Sequence, residues 1–267
     1  MLLLQPVRSF FGKSSSAARA IFSRSNTSCV LRGRHLGRDS GEAVLQRIYD
    51  SLNTDRSGDD LIEQVTAILN TATLRDVGLQ EGDLAGDRIW KGRQQSLYIP
   101  IAHTSKFDIA VFIIKKGNSL PLHDHPDMTV LSKLLHGKLR LKSFDWIEDS
   151  RQSKGSATTV HAATCINDRE VTAPADAWRL GPHNGNLHDL EATETSAVLD
   201  ILLPPYGNGR RCSYYKMAQD PVAGNRGNAS LVLLKQVPEP RGLPEFYPYT
   251  GPSITTGGSR SPKRFWQ

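Results

Sequence analysis

The sequence predicts a mainly-β protein, a barrel or sandwich, with a short helical segment in front of it. Between residues 39 and 69, apolar side chains recur at helical spacing, whereas beyond residue 95 they alternate with a period of two. Gly and Pro turns separate the alternating stretches without intervening helices, which argues against a parallel sheet. At 267 residues with 38% apolar side chains, the chain is long enough to bury a sizeable core.

The first 38 residues differ from everything that follows. They hold seven basic side chains, many serines and no acid, and Phe10, Phe11, Ile21 and Phe22 are spaced so that they could share one helical face. This composition is typical of an organellar transit peptide, so we expect a mitochondrial protein. A disordered basic tail on a cytoplasmic protein is the alternative.

The net charge of +6 belongs to that leader. The 33 basic and 27 acidic side chains become equal in number once residues 1–40 are set aside, because this segment holds seven bases and one acid. A neutral body has no basic surface with which to condense on phosphates, so we expect no nucleic-acid partner. No apolar run approaches the roughly 18 residues of a membrane span. The three cysteines are too few and too scattered for a disulfide framework.

The body, predicted as one domain over residues 39–253, begins with two amphipathic helices on either side of a polar break at 54–58. The stretches predicted as strands by their alternation are 107–113, 131–135, 138–144, 178–180 and 197–203. A hairpin turn is predicted at His136-Gly137, between the second and third of these stretches. Beyond Val237 the composition favours extended chain, with residues 254–267 as a disordered tail.

The densest chemical signal is the His123-Asp124-His125 triplet. Residues two apart in a strand point to the same face, so the two imidazoles can converge on one ion while Asp124 points away. A His-x-His pair alone also arises from ordinary packing. Its surroundings strengthen it, because Gly117 lies six residues before His123 and Gly137 twelve after His125, the frame of the cupin double-stranded barrel.

The third predicted ligand is His188, which follows Gly185 by three residues as in the second cupin motif. Many cupins add a Glu after the first motif, but Thr129 and Val130 stand at those positions, so the predicted site is three neutral imidazoles. Such a set leaves iron(II) with open positions for a substrate and dioxygen. Zinc accepts the same ligands with a water. A zinc- or manganese-dependent isomerase or hydrolase, or a non-catalytic cupin binding module, therefore stays open at this point.

Five stretches then resemble one family, namely 121–137, 144–146, 185–188, 199–206 and 247–252. Together they resemble the cysteamine dioxygenase and plant cysteine oxidase family of thiol dioxygenases, over about residues 41–253. The resemblance implies a cupin jelly roll and one mononuclear Fe(2+) on the three histidines, with O2 as co-substrate. It implies oxidation of an aminothiol, cysteamine or the N-terminal cysteine of a peptide, to the sulfinic acid. We expect the protein to act as a monomer.

One residue beside the first motif departs from the family pattern. Gly typically follows His-Asp-His-Pro in this family, but Asp127 stands here. A Gly at that position serves a backbone with positive φ, which Asp tolerates better than most residues, so we expect an altered loop without loss of metal. With Asp200, it is expected to place two acids near the entrance, where they repel the free carboxylate of cysteine.

Four further residues are predicted catalytic: Asp200, Tyr206, Cys212 and Tyr214. Asp200 lies in an apolar strand and must have a partner there, either a neighbouring strand's backbone, an Arg such as Arg140, or the substrate amine, which the resemblance favours. Tyr206 follows two prolines and could hold its hydroxyl over the metal, or simply pack.

The Cys212-Ser213-Tyr214-Tyr215 stretch is similar to the family's Cys-x-Tyr-Tyr motif. In animal members the first and third residues can become joined by a thioether, which implies the same for Cys212 and Tyr214. An ordinary buried thiol is the alternative. His183 is near enough to His188 in the chain to line the site, although turn formation explains it equally well.

Overall fold

The computed structural model describes residues 43–86, 88–147, 160–222 and 230–255. The predicted leader, residues 1–38, lies outside these ranges, as does the predicted tail except for Ile254 and Thr255. In the described part of the chain, no helix is long and apolar enough to cross a membrane.

Helices α1 (Val44–Leu52) and α2 (Asp59–Leu69) lie where the apolar spacing predicted them. Each buries one apolar side, formed by Leu45, Ile48, Tyr49 and Leu52 in α1 and by Leu61, Val65, Ile68 and Leu69 in α2. A 3₁₀ turn (Leu74–Val77) and α3 (Glu81–Ala85) follow, and the sequence analysis did not predict either of them. Each is about one turn long and starts with a capping box, a feature too short to produce a helical period. These elements form a helical cap in front of the strands.

Twelve strands follow the cap in the described residues. They are β1 (Ser96–His103), β2 (Asp108–Ile114), β3 (Ser119–Asp124), β4 (Thr129–His136), β5 (Lys138–Trp146), β6 (Val160–Thr172), β7 (Trp178–Leu180), β8 (Leu187–Ala192), β9 (Ser196–Leu203), β10 (Tyr214–Val222), β11 (Ser230–Val237) and β12 (Glu245–Phe246). One sheet has the order β12-β1-β2-β9-β4-β7, and the other six strands close into a barrel in the order β10-β11-β6-β5-β8-β3. The predicted mainly-β cupin fold with a short helical cap is confirmed.

The predicted hairpin at His136-Gly137 is wrong. β4 pairs with β7 and β9, whereas β5 pairs with β6 and β8, so the chain changes sheets at Gly137. Gly137 has φ 84, and a Cβ there would lie 2.2 Å from the carbonyl oxygen of Thr195. A single residue in this conformation cannot form the two-residue loop of a hairpin. The glycine instead makes a corner between two sheets.

The six-stranded sheet separates two apolar cores. Leu199 and Ile201 of β9 pack on the side of the helical cap, while Val198 and Leu202 pack on the side of the barrel interior. A strand buried on both faces is apolar throughout, which explains the nearly continuous apolar run of β9.

Both ends of the described chain meet at the cap. β12 adds to β1 as a parallel strand, and the segment after it reaches α1. There the side-chain amide of Gln46 donates to the carbonyl of Thr255 at 3.2 Å and accepts from its N–H at 2.7 Å. The extended chain predicted beyond Val237 is thus part of the packed structure as far as Thr255.

Candidate metal centre

The three predicted metal ligands converge on the barrel side of the six-stranded sheet. His123 of β3 is the cross-strand partner of His188 on β8, and His125 follows the end of β3. The Nε2 atom of His188 lies 3.0 Å from Nε2 of His125 and 3.2 Å from Nε2 of His123. All three imidazoles are buried, and they form the one potential metal-binding group found among the described residues.

The environment keeps these imidazoles neutral. Burial lowers the pKa of His123 to about 4, although the Pro121 carbonyl acts in the opposite direction. Burial, followed by the charges of neighbouring imidazoles, lowers the pKa of His125 and His188 well below the usual value. A neutral imidazole has the free lone pair that metal binding requires.

The contacts of the Nδ1 atoms show which nitrogen faces the centre. Nδ1 of His123 lies 2.8 Å from the carbonyl oxygen of Pro121, to which its N–H donates. Nδ1 of His125 lies 2.8 Å from the Tyr206 hydroxyl, which is itself 2.6 Å from the Asp124 carbonyl oxygen. Because the hydroxyl donates to that carbonyl, the Nδ1–H of His125 donates to the hydroxyl. Both Nε2 atoms are then unprotonated.

The three Nε2 atoms also have the spacing of metal ligands. Nε2 of His188 lies close to the unprotonated Nε2 atoms of both other histidines, while its own Nδ1 is buried without a hydrogen-bond partner. Imidazole nitrogens about 2.1 Å from an ion, at right angles around it, are about 3.0 Å apart. The observed separations of 3.0 and 3.2 Å match this arrangement.

Asn186 holds the two histidine motifs together, a role that the sequence analysis missed. Its buried side chain accepts from the backbone N–H of His125 at 3.1 Å and donates to the carbonyl of the same residue at 2.5 Å. It also donates to the Gly181 carbonyl at 3.2 Å. Asn186 therefore fixes the backbone of one ligand from a position two residues before His188. The position of Asn186 inside the second motif, between Gly185 and His188, was the sequence signal that could have indicated this role.

Asp124 points away from the other two residues of its triplet, as predicted. Its carboxylate accepts from the backbone N–H of Ser213 at 2.8 Å and from the Tyr215 hydroxyl at 3.0 Å. Tyr214, which follows Ser213 in the chain, is the cross-strand partner of His123, and this pairing of β10 with β3 closes the barrel. Asp124 thus fastens the start of β10 beside the site.

Tyr206, Cys212 and Tyr214 come together next to the histidines. The ring of Tyr206 stacks on His125 with centroids 5.4 Å apart, and its hydroxyl contacts Nδ1 and so lies away from the Nε2 atoms. Burial raises the pKa of the Cys212 thiol to about 12, although hydrogen bonds with the hydroxyls of Tyr206 and Tyr214 oppose the shift. The contact between Cys212 and Tyr214 is compatible with the thioether, which stays a prediction.

Arg140, one of the partners suggested for Asp200 by the sequence, does not pair with it. Arg140 pairs with Asp168 through contacts of 2.6 and 2.8 Å on the outside of the barrel, so it is not available to Asp200. Asp200 instead lies buried between Ala110 and Ser132 on the barrel-facing side of the sheet. Burial raises its pKa to about 7, with the Ser132 hydroxyl opposing the shift. The expectation that Asp200 stands at an entrance is therefore wrong.

Comparison with known proteins finds relatives for the part of the chain that holds the three histidines. A sequence model of the PCO_ADO family matches residues 68–254, a range that includes all three histidines. The chain belongs to the PCO_ADO family. It is 37% identical over 158 residues to plant cysteine oxidase 2 of Arabidopsis thaliana, covering 58% of this chain and 56% of that protein. It is 31% identical over 186 residues to 2-aminoethanethiol dioxygenase of Homo sapiens, covering 59% and 67%. The chain thus spans little more than half the length of the plant relative and about two thirds of the human one.

Solved structures give weaker matches. A cupin superfamily protein from Desulfitobacterium hafniense is 18% identical, with a TM-score of 0.31, over 42% of this chain and 82% of that one.

In this PCO_ADO protein, two residues beside the motifs do not belong to the three-histidine group. Asp127 is exposed and has φ 57, the left-handed conformation expected where the family typically has Gly. His183 is exposed in the turn between Gly181 and Asn184 and is not part of the three-histidine group, which favours its interpretation as a turn residue.

Proposed function

We propose that this protein is an iron(II)-dependent thiol dioxygenase, which inserts both atoms of O2 into a thiol to give a sulfinic acid. One observation carries the proposal: three buried, neutral imidazoles direct their Nε2 atoms at one point in a chain of the PCO_ADO family. The names of its relatives, cysteine oxidase and 2-aminoethanethiol dioxygenase, support the same chemistry.

The residues of the chain prepare the site for this reaction. Bound iron(II) would supply a dipositive centre that lowers the pKa of a thiol and accepts O2 beside it. The Pro121 carbonyl and the Tyr206 hydroxyl hold the Nδ1 protons of two ligands, so both Nε2 atoms stay unprotonated. The neutral Cys212 thiol does not compete as a thiolate. Holding both reactants at one buried point makes proximity the main source of rate acceleration.

An aminothiol is the proposed substrate, either cysteamine or the N-terminal cysteine of a peptide. A thiolate and the neighbouring amine can chelate one ion, whereas the free carboxylate of cysteine calls for a cation, and neither histidine motif contains an Arg. The exposed acid Asp127 beside the first motif would also repel that carboxylate. We expect kcat/KM for cysteamine or such a peptide to exceed that for free cysteine at least tenfold, about 1.4 kcal/mol. A preference for free cysteine would contradict this specificity.

Metal analysis and oxygen uptake test the activity. Protein purified without added metal should contain iron, and it should consume one O2 for each cysteamine converted to its sulfinic acid. Full zinc occupancy without thiol-dependent oxygen uptake would instead indicate a hydrolase, an isomerase or a binding module.

Replacing single histidines tests the ligand assignment. Ala in place of His123, His125 or His188 removes one of three protein ligands, so each variant should lose most of its iron and its oxygen uptake. His183→Ala is the matched control, because His183 is exposed and outside the group. Near-normal iron and turnover in any of the three variants would remove that residue from the site.

A further inference from the structure

An unexplained row of polar side chains crosses the barrel-facing side of the six-stranded sheet. Ser132 of β4 is the cross-strand partner of both Asp200 on β9 and Trp178 on β7. All three residues are buried. Within the described residues, Nε1 of Trp178 has no hydrogen-bond partner, and Oγ of Ser132 and Oδ1 of Asp200 have none beyond the interaction of these two side chains with each other. We call these three residues the polar row.

The neighbours of the polar row are apolar on both sides. Two residues towards one end of the sheet, Val130 pairs with Leu202, and two residues towards the other end, Leu134 pairs with Val198. All four are fully or almost fully buried. The surroundings of these three positions would therefore accommodate apolar side chains equally well. More than nine in ten buried polar groups in native proteins have a partner, so an unpaired Trp178 indole beside two polar groups that have only each other indicates a bound molecule.

The chemistry of the three groups selects that molecule. The Trp178 indole can only donate, so the molecule must accept a hydrogen bond. The Asp200 carboxyl accepts when it is ionised and can also donate when it is protonated, so a molecule that both donates and accepts pairs with it in either state. An ammonium group has no acceptor and would leave Trp178 unpaired, and a simple anion has no donor for an ionised Asp200. Water has both.

The placement also suits a small molecule. Ser132 is the residue directly opposite both Asp200 and Trp178 in the register, so the three polar side chains lie side by side on one face of the sheet. We infer that the polar row holds one buried water molecule, which accepts from the Trp178 indole, donates to Asp200 and has the Ser132 hydroxyl as its third partner. Three partners is the usual number for a buried water. This inference does not depend on the proposed enzymatic activity.

Thermal unfolding of the metal-free and substrate-free protein tests the water site. Ser132→Ala removes one partner of the water, so the Tm should fall by about 2–4 °C. Ser96→Ala is the matched control: the Ser96 hydroxyl is also buried without a partner, but its cross-strand partner is Ile114, with which no water can be shared. Its Tm should stay unchanged or rise. If Ser132→Ala behaves like Ser96→Ala, the water site is wrong.

Water relaxation dispersion with ¹⁷O provides a direct count of long-lived internal waters. Ser132→Val, which fills the space beside Asp200 and Trp178, should lower that count by one relative to the unsubstituted protein, and Ser96→Val should not change it. An unchanged count in Ser132→Val would overturn the inference. A Ser132→Val variant that changes only the KM for cysteamine would also overturn the inference, since this result would place the substrate amine in the polar row.

Discussion

At the scale of single residues, the site depends on bonds made behind the ligands. His123 is oriented by the Pro121 carbonyl, His125 by the Tyr206 hydroxyl, and the backbone of His125 by Asn186. His123 and His125 were predictable because they lie two residues apart in the chain, and His188 because it follows Gly185 as in the second cupin motif. The contact between Asn186 and His125 joins residues 61 positions apart, and no local pattern encodes such a contact.

Asn186→Asp tests whether this support matters for the metal. The aspartate can still accept from the His125 N–H, but it cannot donate to the carbonyls of His125 and Gly181 and places a charge against them. Outer partners of metal ligands typically contribute 10–100-fold to affinity or activity, so iron affinity or kcat should fall by about that factor.

The control for this variant is Asn167→Asp, because Asn167 is exposed and its amide donates to Ser143. It should bind iron normally. Restoration of function in Asn186→Asp by excess iron would locate the defect in metal affinity, whereas normal iron content and normal kcat would show that Asn186 is not a positioning residue.

Asp200 should make stability depend on pH. Its pKa is raised from 3.8 to about 7 by burial, so between these pH values the folded protein holds a proton that the unfolded chain has lost. The free energy of unfolding therefore falls as the pH rises from about 4 to 7, by up to about 4 kcal/mol from this group. Its neighbours on the adjoining strands, Ala110 and Ser132, do not titrate.

The matched variant is Asp200→Asn, which stays neutral at every pH. Urea unfolding at pH 4 and pH 8 should show the variant close to the unsubstituted protein at the lower pH and more stable at the higher one. A difference that does not change with pH would mean that Asp200 has an ordinary pKa in the folded protein.

At the scale of elements, local patterns predicted five of the twelve strands of the described residues, namely β2, β4, β5, β7 and β9, but not what they pair with. The alternation in β2, β4, β5 and β9 identified strands correctly, because each is buried on at least one face. The wrong hairpin arose because a Gly between two strands marks a corner between sheets as readily as a hairpin. Strand β6 was missed, since most of its side chains are partly or fully exposed and show no clear period.

The contact between the helical cap and the sheet provides a test at this scale. The buried Lys133 of β4 donates through Nζ to the carbonyl of Asn70, at the end of α2, at 2.5 Å. Lys133→Met keeps most of the packing but leaves that carbonyl unpaired, so the free energy of unfolding should fall by about 1–3 kcal/mol. Urea unfolding measures this change, and the exposed Lys216→Met is the control. Equal stability of the two variants would show that the bond does not hold the cap.

At the scale of the whole molecule, composition separates a basic leader from a neutral body, but it does not predict the strand order. The order depends on contacts between distant residues, which the alternation does not contain. The basic leader, residues 1–38, precedes both the described residues and the family match.

We propose that this leader directs import into mitochondria and is not needed for folding. A fluorescent fusion of residues 1–45 should accumulate in mitochondria, and a version in which the arginines of the leader are replaced by glutamine should stay diffuse. Protein starting at Asp39 should unfold at the same Tm as the full chain. A diffuse signal from the unsubstituted fusion, or a lower Tm of the shortened protein, would contradict the respective half of this proposal.

The paired hydrogen bonds between Gln46 and Thr255 make this fold a candidate for circular permutation. Since they bring the beginning and the end of the described chain side by side, a few glycines could join the two, and new termini could open at the exposed Gly92, ahead of β1. The permuted protein would have the same barrel and the same three histidines, but the strands would be synthesised before the helical cap. It would show whether the cap must form before the barrel can close around its metal.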